Sequence, residues 1–309
     1  MTRNLRLVMS GSLLAAAAWL ALGLASSTAL AREGQTRPGF QIDPRAQSRT
    51  YHFADTDEEM PYCLFVSSKV SAGKPAPLII SLHGLGAGPQ IMCNSTAVDL
   101  AEKGGYILAA PMGCNEGGWY GSPVLRRPPN PAGDGQTAAP PPASDGKCHP
   151  GSGGFVRGGP PRSQPANIAE LSEKDVMNVL AMVRKEFNVD SHRIYLTGHS
   201  MGGAGTYFLG SKHPDIWAAI APVAPAAFGM MANRVQYLEP LKKAGVPIMV
   251  VHGDMDEAVP VATSRDNWVP SMQELGIAHE YVELPGVTHG PVITQSQPYI
   301  YEFFDKHSK

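Results

Sequence analysis

A serine stands between glycines in Gly198-His199-Ser200-Met201-Gly202-Gly203. A G-x-S-x-G run carries weight only where a strand leads into it and a helix leads out. The flanks meet that condition: Ile194 to Thr197 is a short apolar run, and Met201 to Lys212 reads as a helix. In such a setting the serine sits at the tip of a sharp turn with its hydroxyl exposed. The backbone is strained there, so residues two positions away must be small. Gly198 and Gly202 supply that room, and Gly203 lets the helix pack closely. The helix also aims its first N–H groups at the same spot. A hydroxyl placed this way is a nucleophile that needs a base to take its proton.

Where such an elbow sits on an open parallel sheet, an acid and then a histidine follow it in chain order. The histidine candidates further along the chain are His252, His279, His289 and His307. His289 lies in Pro285-Gly286-Val287-Thr288-His289-Gly290, a turn at the carboxyl end of the last expected strand. Ligands of open α/β sheets bind at that edge. His279 precedes the strand, at the opposite end, and His307 falls in the terminal helix. His289 is therefore the expected base. The acid must orient it and stabilise its charged form. Asp254 and Asp256 both fall after the strand at 248–251, in His252-Gly253-Asp254-Met255-Asp256-Glu257. Spacing does not separate them; a turn-capping role suits Asp254 and tilts the choice toward Asp256. Two backbone N–H groups are needed to hold a developing oxyanion. Met201 supplies one. The loop His83-Gly84-Leu85-Gly86-Ala87-Gly88 supplies the other, at Leu85. His83 reads as a structural histidine bonded to backbone. The glycine run is no phosphate cradle, because no G-K-[ST] follows.

These residues need a scaffold that brings loop ends together. Short apolar runs at 77–82, 106–110, 194–197 and 247–251 fit strands buried on both faces, with weaker ones at 218–223 and 280–284. Runs at 50–53 and 62–66 fit edge strands. Helical patterns lie between them, at 94–103, 170–187, 201–212, 235–243, 263–275 and 295–307. Ser172 with Asp175 resembles a capping box. Strands alternating with helices predict an α/β fold: a mostly parallel central sheet with helices on both faces.

Composition sets the remaining bounds. The 309 residues carry a formal net charge of −2 and are 43% hydrophobic. That balance leaves no electrostatic footprint for nucleic acid or an anionic membrane, so neither is an expected partner. Residues 1–31 read as a signal peptide: Arg3 and Arg6, an apolar run from Leu13 to Leu24, then Ala29-Leu30-Ala31 as the cleavage site. The alternative is an uncleaved anchor. The expected product is a single domain over 32–309, periplasmic or secreted, with no stable membrane insertion. In an oxidising compartment Cys63, Cys93, Cys114 and Cys148 suggest disulfides, the alternative being buried free thiols. Three pairings exist. Cys114 and Cys148 bracket a flexible stretch, which favours that pair and leaves Cys63 with Cys93. No C-x-x-C occurs, so neither a zinc nor a redox site is expected. The stretch at 121–165 holds 11 Pro and 9 Gly in 45 residues. It reads as a mostly disordered or loosely pinned insertion near the reactive edge, with an ordered lid as the alternative. Trp119 and Tyr120, just before it, are candidates to line a pocket, with plain core burial as the alternative.

Assembled, these motifs resemble the α/β-hydrolase esterases. The likeness is nearest to exported poly(3-hydroxybutyrate) depolymerase-like and feruloyl-esterase-like proteins, which shade into phospholipase/carboxylesterase and prolyl-oligopeptidase-like families. It runs from about Met60 to Phe304 through Leu82-His83-Gly84-Leu85-Gly86, Gly105 to Pro111, Gly117-Gly118-Trp119-Tyr120-Gly121, the elbow, His252 to Asp256 and Thr288-His289-Gly290. The resemblance implies an α/β-hydrolase fold, Asp256 as the acid, and hydrolysis of a small-molecule or polymeric carboxylic ester without metal or organic cofactor. The chain departs from the family pattern in carrying Glu257 directly after Asp256 and in the length of the Pro/Gly-rich stretch. Two rival expectations stand beside it: a small serine peptidase on the same fold, and a non-catalytic binding protein on a hydrolase scaffold. Dienelactone-hydrolase chemistry usually employs a cysteine nucleophile, so Ser200 argues against it.

Overall fold

Eight strands line up in one sheet in the computed structural model, which describes residues 42–124, 143–151 and 164–309. They are β1 (Gln47–Phe53), β2 (Glu58–Val66), β3 (Ala76–Leu82), β4 (Ile107–Pro111), β5 (Val189–His199), β6 (Ala219–Val223), β7 (Ile248–Gly253) and β8 (His279–Leu284). The spatial order is β1-β2-β4-β3-β5-β6-β7-β8. Pairing is antiparallel for β1 with β2 and for β2 with β4, and parallel from there to β8. The helices are α1 (Ser95–Gly104), α2 (Ile168–Glu186), α3 (Met201–Lys212), α4 (Arg234–Ala244), α5 (Val269–Leu275), α6 (Val292–Gln295) and α7 (Gln297–Asp305). The mostly parallel α/β architecture expected from the strand–helix rhythm is present.

The central strands read as unbroken apolar runs because both of their faces are covered. Successive side chains alternate between two cores. Leu78, Ile80, Leu82, Ile194, Leu196, Ile248 and Val250 pack on one face, with residues of α2, α3, α4 and α5. Ile79, Tyr195, Met249 and Val251 pack on the other, with residues of α1 and α7. No helix among the described residues is long and apolar enough to cross a membrane.

The order of the strands places the site. The chain leaves β3 to form β4 on one side, then returns to form β5 on the other. Ligands of open α/β sheets bind at the carboxyl ends of strands where the order reverses in this way. The loops after β3 and β5 meet there, with Leu82 opposite Gly198 in the parallel register.

Two expectations need correction. The Ser172–Asp175 pair caps nothing, because α2 already begins at Ile168. Both side chains are buried and hold the chain after β4 instead: Ser172 Oγ donates to the Gly113 carbonyl at 2.7 Å, and Asp175 Oδ2 accepts from the Gly113 amide at 2.6 Å. The expected helices near 263 and 295 are also interrupted. A π-helical turn, Ser264–Trp268, precedes α5, and the C-terminal segment divides into α6 and α7.

Disulfides join Cys63 to Cys93 and Cys114 to Cys148, the pairing favoured because the latter two bracket a stretch that reads as flexible. The second ties Cys148, inside the 121–165 stretch, to the loop after β4. Cys148 is fastened further by Glu58, which accepts from the Cys148 and His149 amides at 2.7 and 2.8 Å. Most of 121–165, like the expected signal peptide, lies outside the described residues.

Candidate active site

Ser200 joins β5 directly to α3. Its φ and ψ are 57° and −113°, a left-handed conformation that costs about 1–3 kcal/mol for a residue with a side chain. The surroundings enforce it. The Ser200 amide donates to Val223 O at 2.9 Å, and its carbonyl accepts from Ala226 N at 2.9 Å and Ala204 N at 3.1 Å. A Cβ on Gly202 would lie 2.2 Å from the Leu82 carbonyl oxygen, and one on Gly198 would lie 2.4 Å from Gly202 O. The glycines of the elbow are therefore required by contact with β3 and with the turn itself.

Met201 is the first residue of α3, so its amide has no acceptor within the helix. The Leu85 amide likewise donates to no protein acceptor among the described residues. Its loop is braced from below. Gly86 N donates to Glu116 O at 2.9 Å, and the buried His83 ring spans the carbonyls of Gly84 (2.9 Å) and Met112 (2.8 Å). Burial pushes the His83 pKa down, against the pull of the two carbonyls, which raises it. Tyr120 is fully buried against this loop, its hydroxyl donating to His83 O at 3.3 Å. A substrate cannot reach it, so Tyr120 is floor rather than pocket wall. Trp119 is half-buried and packs against the core.

On the other side of the serine, His289 Nδ1 donates to Asp256 Oδ2 at 2.7 Å. The Asp256 side chain is wholly buried. Its Oδ1 accepts from the Ala258 and Val259 amides at 2.9 and 2.7 Å, and His252 Nε2 lies 3.3 Å from Oδ2. Burial pushes the carboxyl pKa up, but the hydrogen bonds from His252, His289 and the Val259 amide outweigh it and hold the group well below the usual range. Asp256 is thus a fixed anion facing Nδ1. That fixes the tautomer of a neutral His289, leaving Nε2 with its lone pair. Asp254 takes a different role, accepting from the Gly286 amide at 2.6 Å and tying the turn after β8. Glu257 accepts from the His289 amide at 3.3 Å. No hydrogen bond joins Ser200 Oγ to His289 Nε2 in this state; such links often tighten only when substrate binds.

The structure therefore gathers Ser200, Met201, Leu85, Asp256 and His289 at one edge of the sheet. Three further contributors escaped the sequence reading. His252 touches the acid, Glu257 holds the amide of the base, and His199 contacts the base itself. Glu257 was visible only as a departure from the family pattern.

A family model for prolyl oligopeptidases matches residues 168–231, the segment from α2 through the elbow. Cutinase 1 of Thermobifida cellulosilytica is 37% identical over 101 residues, which is 33% of this chain and 34% of that protein. The chain thus spans about a third of the length of the curated relatives it matches. Among solved structures, a thermostable esterase superposes with a TM-score of 0.57 at 25% identity, over 87% of this chain and 64% of the other. A ferulic acid esterase from Anaeromyces mucronatus gives 0.56 at 16% identity, over 87% and 93%. The chain has the α/β-hydrolase fold.

Proposed function

We propose that this chain is a serine carboxylesterase that works through an acyl-enzyme. The observation that carries the reading is the buried, ionised Asp256 bonded to His289 Nδ1 at 2.7 Å, at the same sheet edge as a strained serine elbow. Ser200 Oγ attacks the ester carbonyl carbon while His289 Nε2 takes its proton. Asp256 stabilises the imidazolium. The oxyanion accepts from the Met201 and Leu85 amides, neither of which has a protein acceptor among the described residues. Collapse expels the alcohol, to which His289 returns the proton. Water then repeats the sequence on the acyl-enzyme and frees the acid.

The named likenesses, a cutinase and esterases, support ester substrates, small or polymeric. Two disulfides and the N-terminal sequence pattern support export to the periplasm or beyond. A second reading has one observation in its favour: the prolyl oligopeptidase match makes a small peptidase the rival. Matched 4-nitrophenyl esters and aminoacyl arylamides separate the two. Faster turnover of esters is expected, and faster turnover of the amides would overturn the esterase reading.

A further inference from the structure

His199 precedes the nucleophile, and nothing in the chemistry above employs it. Its ring is buried at the junction of three parts of the site. A Cβ on Gly84 would lie 3.0 Å from His199 Nδ1, so the ring rests against the loop that carries Leu85. Its centroid is 4.5 Å from that of His289, with the planes inclined at 47°. Its Nε2–H donates to the His289 carbonyl oxygen at 2.9 Å.

We propose that His199 is a positioning residue for His289: its Nε2–H, bonded to the His289 carbonyl, fixes the height and tilt of the base over Ser200. The proposal rests on the serine-hydrolase reading. The need for such a tie follows from the topology. His289 enters from the loop after β8, three strands away from β5 in the sheet order. Asp256 grips the ring from its far side, at Nδ1, and the Glu257 contact to its amide is long at 3.3 Å. Neither sets the distance to the serine. His199 does, because it is covalently next to Ser200 and bonded to residue 289.

The tie serves the cycle best with His199 neutral while His289 becomes charged, because a second imidazolium 4.5 Å away would repel it. The groups around it act in that direction. Burial, followed by the nearby His289, lowers the His199 pKa to about 3, against the opposing pull of the His289 carbonyl and Asp256, with His252 also lowering it. A neutral imidazole whose Nε2 carries the proton remains a donor throughout, and adds no repulsion to the imidazolium beside it.

The test compares wild type, His199→Phe and His199→Gln on 4-nitrophenyl acetate, with fluorophosphonate labelling of Ser200 followed in parallel. Phenylalanine keeps a ring but loses the donor; glutamine loses the ring but carries an amide N–H about as far out as Nε2. In the phenylalanine variant kcat is expected to fall at least about tenfold with KM within about twofold, and labelling to slow by a similar factor. Glutamine is expected to recover most of that loss. Wild-type kcat in the phenylalanine variant, or an equal loss in both variants, overturns the proposal. Should the phenylalanine variant fail to fold, His199→Asn, whose amide is too short to reach the carbonyl, replaces it: the same loss of kcat supports the tie, and wild-type kcat overturns it. If wild type labels at Ser200 but turns over no ester, the esterase reading falls, and the labelling rates alone decide the role of His199.

Discussion

Gly202→Ala probes how far the site depends on close approach between the elbow and β3. The added methyl would lie 2.2 Å from Leu82 O, 2.6 Å from Leu82 C and 2.8 Å from His83 O, all of them backbone atoms. Ordinary contact begins near 3.4 Å, so β3 and α3 must separate by about an ångström. The move falls on Leu82 and His83, the residues leading to Leu85, and on the residue next to Met201. Both proposed oxyanion donors are displaced together. A misplacement of about 1 Å can cost about a hundredfold in rate, which is about 2.7 kcal/mol of transition-state stabilisation. Overpacking adds about 1–3 kcal/mol of lost stability. The assay is kcat/KM on a nitrophenyl ester together with urea unfolding. Gly73→Ala is the control, because a Cβ there meets nothing within 4 Å. Retention of wild-type kcat/KM within about threefold in a folded Gly202→Ala protein would refute the reasoning.

Three further outcomes follow from the same geometry. Asp256→Asn should lower kcat by about a thousandfold to ten-thousandfold, because the amide no longer selects the tautomer or stabilises the imidazolium; Asp254→Asn, which only loosens the turn at Gly286, should leave most of it, and equal losses would reverse the assignment. The Asp175 carboxyl, pushed up to about 6 by burial against the hydrogen bonds from Tyr51 and the loop amides, binds a proton more tightly folded than unfolded. Its contribution to stability is therefore full below the usual carboxylate value of 3.8 and is lost as pH rises through about 6. The stability advantage of wild type over Asp175→Asn should then shrink by about 3 kcal/mol between about pH 4 and pH 8, and a difference that does not change with pH would contradict this. Opening the Cys114–Cys148 bond, which closes 34 residues, by replacing both cysteines with serine should cost about 3–4 kcal/mol in denaturant unfolding; an unchanged midpoint would show that the bond constrains nothing.

The fold was legible because its signals are local. Apolar runs such as Leu78 to Leu82 announce strands covered on both faces, and the alternation of Leu78, Ile79 and Ile80 between two cores bears that reading out. The serine elbow was equally plain, since glycine spacing and strand–helix context lie within a dozen residues. What the sequence hid depends on distant partners. Asp254 and Asp256 lie two residues apart on one loop, and only the folded chain shows one reaching His289 and the other the Gly286 amide. Ser172 and Asp175 have the spacing of a cap, yet their partner is Gly113, some sixty residues away. Tyr120 reads equally as pocket or core until its hydroxyl is seen under His83. His199 occupies a position the motif leaves free, and its partner lies 90 residues on.

Ser200 as the nucleophile is tested most directly by fluorophosphonate labelling read by peptide mass spectrometry, alongside ester turnover. One adduct on the peptide carrying Ser200 is expected, and Ser200→Ala should lose both the adduct and the turnover. An adduct on another residue, or ester turnover surviving in Ser200→Ala, would contradict the mechanism.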